Sequence, residues 1–171
     1  DEARRVGVRI RALRASLYQE SQRQAQAHRA ALQVIPDARA VGDADGLERA
    51  LLVADASGLQ LGYTDLGANV QEAMESAIAH GRLGRATLAA MNLGAFAFYA
   101  GRWGEALAHY EDALRLFPEE SSLERRFELA RLHYDLGRRY ADRSFCQTVS
   151  RLPVEKALDL YGQVLLKIQT H

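Results

Sequence analysis

The chain has 171 residues, its 22 basic and 22 acidic side chains give a formal net charge of zero, and 48% of its residues are hydrophobic. No apolar run is long enough to span a membrane, the charged start is not that of a secretory signal, and a lone cysteine excludes an internal disulfide. We therefore expect a cytoplasmic protein with a substantial core. Because a helical pattern begins almost at Asp1, without a methionine, we also expect the chain to be part of a larger protein.

Apolar residues recur at helical spacing along the chain, and no run of β-branched residues indicates a strand. The sequence thus predicts an all-α protein. In chain order we expect four antiparallel helical hairpins, at about residues 3–34, 46–80, 85–116 and 122–168. Pro36 should end the first of them, since proline cannot donate to a continuing helix.

The fourth hairpin contains an insertion at about residues 140–152, compared with the third. Two alternatives remain open for it. The first helix of this hairpin continues beyond Tyr140, or a loop forms through Arg143, Phe145 and Cys146. The polar residues 147–150 favour at least a short loop.

The segment Ala90–Pro118 has the residues that two closely packed antiparallel helices require. Tyr110 should fill the space between the helices, Gly101 allows the positive φ that ends the first helix, and Pro118 ends the second. Small residues lie on both predicted helices where they should touch: Gly94, Ala97, Ala106 and Ala113.

With these features the segment resembles a tetratricopeptide repeat. Possible capping boxes at Asp45–Glu48 and Ser121–Glu124 indicate two further copies. The loose spacing of the copies is similar to that of arrays in bacterial signal-transduction ATPases and large transcriptional activators. The resemblance implies a right-handed superhelix of hairpins in one domain, residues 1–171. Small residues at the expected helix contacts recur at separations of 39, 40 and 36 residues, namely Ala15, Ala54, Gly94 and Ala130.

The resemblance also implies a binding surface, because the first helices of successive hairpins line a concave groove in such arrays. Asn92 is the most informative candidate, since an amide both donates and accepts and so suits a peptide backbone; a plain surface amide is the open alternative. The residues carried over to the groove are Glu48, Leu51 and Asp55 on the second hairpin, Asn92, Ala95, Phe98 and Tyr99 on the third, and Glu128, Arg131, Tyr134 and Asp135 on the fourth.

The resemblance constrains the partner as well. One version of this groove clamps the terminal carboxylate of a chaperone peptide with cationic side chains. The matching places here hold Glu124 and Glu128, so a cationic or mixed apolar peptide, or a neighbouring domain of the same protein, fits better. We predict a protein- or peptide-interaction module, a sensor or scaffold in a larger bacterial regulatory protein. The alternative is a structural domain that forms homodimers through exposed end hairpins.

Charge is unevenly distributed, with a net charge of +4 over residues 1–36 and −6 over residues 37–80. The arginines of the first helix could contact phosphates, which makes a nucleic-acid-binding domain a third alternative. They are not interleaved with aromatic residues, however. We therefore favour a solvated face, or ion pairs with the acidic second hairpin, over nucleic acid as a partner.

Signals for catalysis or for bound groups are weak. The histidines are scattered over separate predicted helices, Cys146 has no evident base, and Gly81–Gly84 follows a helical pattern rather than the strand that precedes a phosphate-binding loop. No His or Cys pairs have the spacing of metal ligands. We expect neither an enzyme nor a requirement for a metal or cofactor, and we expect no membrane partner.

Overall fold

The structure is a computed structural model that describes residues 2–169 of the chain, with side chains to residue 167. These residues form helices and no strand, which confirms the all-α prediction. None of their helices is long and apolar enough to cross a bilayer. The helices are α1 (Glu2–Glu20), α2 (Gln24–Val41), α3 (Ala44–Gln60), α4 (Ala68–Ala79), α5 (Leu83–Tyr99), α6 (Trp103–Leu116), α7 (Ser121–Ala141), α8 (Arg143–Ser150) and α9 (Val154–Gln169).

By its internal contacts the chain divides into two compact units, residues 1–131 and 132–171. That the two units make one domain stays a prediction. In the first unit α1 packs on α2 and α3, and each helix from α2 to α5 packs on the next one in the chain. The predicted bounds of the second and third hairpins agree with α3–α6 to within a few residues.

The third hairpin is closed by the small residues that the sequence pattern indicates. Gly94 of α5 lies against the ring of Tyr110, whose side chain is buried between α5 and α6. Gly101 between the two helices has φ +74°. The small residues at the other expected helix contacts, Ala15, Ala54 and Ala130, are fully buried.

The prediction that Pro36 ends the first hairpin is wrong, because α2 continues through it to Val41. Pro36 lies on the solvent-exposed side of α2, and so does Leu32, one turn earlier, whose carbonyl loses its helical donor. Water can therefore satisfy that carbonyl. Beyond the proline, Ala38 is fully buried in the core, which favours a further turn of helix.

The insertion adopts neither of the two expected conformations. α7 ends at Ala141, and a separate short helix, α8, includes the polar residues 147–150 where we expect a loop. Asp142 starts α8 by accepting hydrogen bonds from the backbone N–H groups of Ser144 (2.8 Å) and Phe145 (3.3 Å). The hydrogen bond from the Ser144 hydroxyl, followed by these two backbone bonds, lowers the pKa of Asp142. The N-terminal cap allows this polar segment to form a helix.

Candidate peptide groove

Three cavities of about 690, 550 and 490 Å³ follow one another along α3 and α5. Neighbouring cavities share lining residues, so they form one continuous groove, which we name the first-helix groove. Its main lining residues are Ser16, Gln19 and Glu20 of α1, Arg49, Leu52, Ala56 and Leu59 of α3, Arg82 just before α5, and Arg85, Leu88, Asn92, Phe96 and Tyr99 of α5.

A buried carboxylate organises the end of the groove that contains arginine. Glu48 is fully buried and accepts hydrogen bonds from Nε and Nη2 of Arg82, from Nη1 of Arg85 (3.0 Å) and from the hydroxyl of Ser76 (2.6 Å). Burial raises the pKa of Glu48, but these bonds, that of Arg82 above all, outweigh it and lower the pKa below its ordinary value. Glu48 is thus an anion that joins α3, α4 and α5.

The prediction of capping boxes at the starts of α3 and α7 is also wrong. α3 begins at Ala44, so Asp45 lies in its first turn, where its Oδ1 accepts from Nη1 of Arg85 (2.7 Å). Burial raises the pKa of Asp45, but the bond and charge of Arg85 lower it by more. At the start of α7, the side chain of Glu120 accepts from the backbone N–H of Ser122 (3.2 Å), a role we expect of a serine. In the described structure no side-chain hydrogen bond caps α3, and at α7 the long side chain of Glu120 takes the place of the short capping residue.

The middle of the groove is rich in amide side chains. Its lining includes Arg126 of α7 and the amides Gln19, Gln22, Gln24, Gln60 and Asn92. The Oε1 atom of Gln24 is buried without a hydrogen-bond donor. A peptide unit offers one donor and one acceptor, which is what these amides can pair with.

The opposite end of the groove is apolar and aromatic, with Leu59, Leu66, Phe96 and Tyr99 in its lining. The loop after α3 forms one wall, and Asp55 holds this loop by accepting from the N–H of Gly67 (3.0 Å) and from the amide of Asn69 (2.6 Å). In the same loop, the ring of Tyr63 contacts His28 edge-on, with centroids 5.2 Å apart.

The predicted groove residues of α3 are placed one position too early. Glu48, Leu51 and Asp55 are buried and so are not open to a ligand. The carboxylates of Glu48 and Asp55 bond to other elements, and Leu51 lies in the core. One residue corresponds to a rotation of about 100° around a helix axis. The residues of α3 that line the groove instead are Arg49, Leu52 and Ala56, each one position later.

On α5 the prediction agrees better with the structure. Asn92, Ala95 and Tyr99 line the groove. Phe98 packs instead against the core of the third hairpin, with its ring at 5.7 Å from that of Tyr99.

The predicted residues of α7 lie elsewhere. Glu128 and Arg131 form an exposed ion pair (3.0 Å), and Arg126 is the residue of α7 among the described lining of the groove. The other two predicted residues of α7, Tyr134 and Asp135, belong to the second unit. There the guanidinium carbon of Arg138 lies 5.8 Å from the centre of the Tyr134 ring, and Asp135 lines a polar cavity.

The sequence does contain a signal for the α3 lining. Ala54 and Gly94 are 40 residues apart and occupy equivalent helix contacts. Moving Asn92 and Tyr99 back by the same 40 residues gives Leu52 and Leu59, which both line the groove. The period therefore locates groove residues better than polarity does. No comparable signal identifies Arg49, because its equivalent in α5 is the buried Ala89.

Comparison of the chain with protein-family models, curated proteins and solved structures gives no match.

Proposed function

We propose that the protein binds an extended polypeptide segment in the first-helix groove, as a tetratricopeptide-like interaction module. The observation that carries this proposal is an open groove whose wall combines apolar side chains, such as Leu52 and Leu59, with several amides. An extended chain presents side chains to apolar walls and leaves its peptide groups to be paired by side-chain amides. A right-handed superhelix and a place in a larger bacterial regulatory protein are parts of the proposal supported by the sequence resemblance alone.

Asn92 is central to the proposal, because it lines two of the three cavities that form the groove. A half-exposed amide contributes little to folding, whereas its removal leaves a bound peptide group without a partner. Its substitution should therefore affect binding and stability differently.

The test is selection from a random peptide library displayed on phage, followed by fluorescence anisotropy with the selected peptides made synthetically. We expect Asn92→Ala to weaken binding by about 1 to 3 kcal/mol, or about five- to 150-fold, at an unchanged melting temperature. Gln33→Ala removes an exposed amide from α2, outside the groove, and serves as the matched control. A library from which no peptide is enriched, or peptides that bind both variants alike, would refute groove binding.

Self-association is the second candidate function, and the exposed apolar face of α9 favours it. Val154, Leu158 and Tyr161 each expose more than 60% of their surface and recur at helical spacing. A second copy of α9 would cover such a face. Sedimentation velocity tests this, and a dimer that Leu158→Lys converts to a monomer would favour assembly as the function.

A further inference from the structure

Guanidinium groups at one end of the first-helix groove have donors without acceptors. Arg82 uses Nε and Nη2 on Glu48, and Arg85 uses Nη1 on Asp45 and Glu48. The Nη1 group of Arg82 and the Nε and Nη2 groups of Arg85 have no hydrogen-bond partner among the described residues. The guanidinium of Arg49 likewise has no hydrogen bond or ion pair among the described residues.

These groups lie in a cavity of about 690 Å³, where Arg49 is half-buried. The two arginines bonded to Glu48 are fixed by a carboxylate that is fully buried. The positive charges of the three arginines exceed the negative charges of Asp45 and Glu48 by one. The exposed carboxylate of Glu20 on the opposite wall offsets that remaining charge. The unused directional donors, rather than net charge, therefore indicate the ligand, and guanidinium donors fit the oxygens of a carboxylate.

We propose that the groove selects acidic peptides, with an aspartate or glutamate side chain bound by Arg49, Arg82 and Arg85 and an apolar side chain bound at Phe96 and Tyr99. This inference rests on the proposed function, since it names the class of peptide. It differs from the sequence-based expectation of a cationic or mixed apolar peptide, or a neighbouring domain, which depends on Glu124 and Glu128. The described lining of the groove contains neither of those glutamates.

The distance between the arginine end and the aromatic end of the groove sets the spacing of the acidic and apolar side chains in the ligand. Arg49 and Leu59 are ten residues apart on α3, or about 15 Å, and Arg85 and Tyr99 are fourteen apart on α5, or about 21 Å. An extended chain advances about 3.3 Å per residue. The acidic and apolar residues of the ligand should therefore be about five or six positions apart.

The phage selection tests this directly, because a peptide fused through its C-terminus offers side-chain carboxylates alone. We expect the enriched peptides to share an Asp or Glu and an apolar residue at that spacing. A selected peptide is then synthesised with an amidated C-terminus, in its acidic form and with Asp or Glu replaced by Asn or Gln. A third version carries the replacement and a free C-terminal carboxylate.

Variants of opposite expected effect sharpen the test. Arg49→Gln should weaken binding of the acidic peptide at least about tenfold, and Glu20→Gln should strengthen it about two- to threefold. Arg29→Gln, which removes an exposed charge from α2, should leave binding unchanged. Circular dichroism verifies folding, and Arg49→Lys, which keeps the charge but loses the fork of donors, should give an intermediate loss.

The outcomes separate the two proposals. If no peptide is enriched, the proposed function fails and this inference fails with it. Enriched peptides that lack acidic residues and bind Arg49→Gln as well as the unchanged protein would overturn the acidic-ligand inference while groove binding stands. Binding by the free C-terminal carboxylate version alone would also overturn it, because the carboxylate would then belong to a chain end. Dependence on the internal acidic side chain and on Arg49 supports the inference.

Discussion

The contact between Gly94 and Tyr110 gives a sharp test of the packing of the third hairpin. A Cβ atom added at Gly94 would lie 2.5 Å from Cζ and 2.6 Å from Cδ1 of the Tyr110 ring, and closer still to Cε1. Ordinary contacts between carbon atoms are about 3.5–4.0 Å, so Gly94→Ala creates an overlap of about 1 Å. The ring is rigid and 2% exposed, which leaves it little room to move.

The magnitude follows from two opposing terms. Alanine is favoured over glycine inside a helix by about 1 kcal/mol. Overpacking of a filled core costs about 1–3 kcal/mol and occasionally more, and an overlap with several ring atoms belongs at the upper end. We expect Gly94→Ala to lower the free energy of unfolding by about 2 kcal/mol, which corresponds to a fall of about 4–8 °C in the melting temperature of a chain of this size.

The assay is urea unfolding followed by circular dichroism, with Gly84→Ala as the matched control. Gly84 lies on the same helix, and a Cβ there meets nothing within 4 Å, so this variant should gain up to about 1 kcal/mol. In a Tyr110→Ala background Gly94→Ala should change sign and become stabilising, because the overlapping ring is gone. Equal destabilisation by Gly94→Ala in both backgrounds would refute the contact.

Three further predictions concern stability. The pKa of Glu48 lies below its ordinary value of 4.5 in the fold, so its ion pairs stabilise the protein above about pH 5 and are lost as the pH falls through the folded pKa. In Glu48→Gln, acid unfolding curves should lose that part of the pH dependence. Loss of the carboxylate that Arg82 and Arg85 share should cost about 2–4 kcal/mol at neutral pH, although Arg85 keeps Asp45. Ala106→Leu should destabilise by about 1–3 kcal/mol in thermal melts, since Ala106 is fully buried. A chelator should leave the melting temperature unchanged, and a clear fall would reveal a bound metal.

The sequence predicts the helix contacts well, because close packing depends on the size of the residues themselves. Ala15, Ala54, Gly94 and Ala130 are buried where their recurrence indicates, and Tyr110 occupies the space beside one of them. A side chain larger than alanine at these buried places would push the packed helices apart.

The burial of the acidic residues of α3 is harder to predict from the sequence, because it depends on partners distant in sequence. Glu48 is buried as an anion through Arg82, 34 residues later, and the buried Asp55 accepts hydrogen bonds from Gly67 and Asn69. Local polarity suggests exposure for both carboxylates. Without those partners the same carboxylates would need water, so no local pattern can distinguish the two situations.

The burial of Glu48 links the stability of the protein to its proposed ligand. By fixing Arg82 and Arg85, this carboxylate removes side-chain freedom that a ligand would otherwise have to restrict on binding, and it leaves their other donors unused within the described part of the chain. Arg49, which has no such support, must lose that freedom when it binds. Arg49 should therefore determine how selectively an acidic peptide is bound. Glu48 holds the other two arginines in place at this end of the groove. Substitution at Glu48 should therefore reduce both the stability of the protein and its binding of acidic peptides.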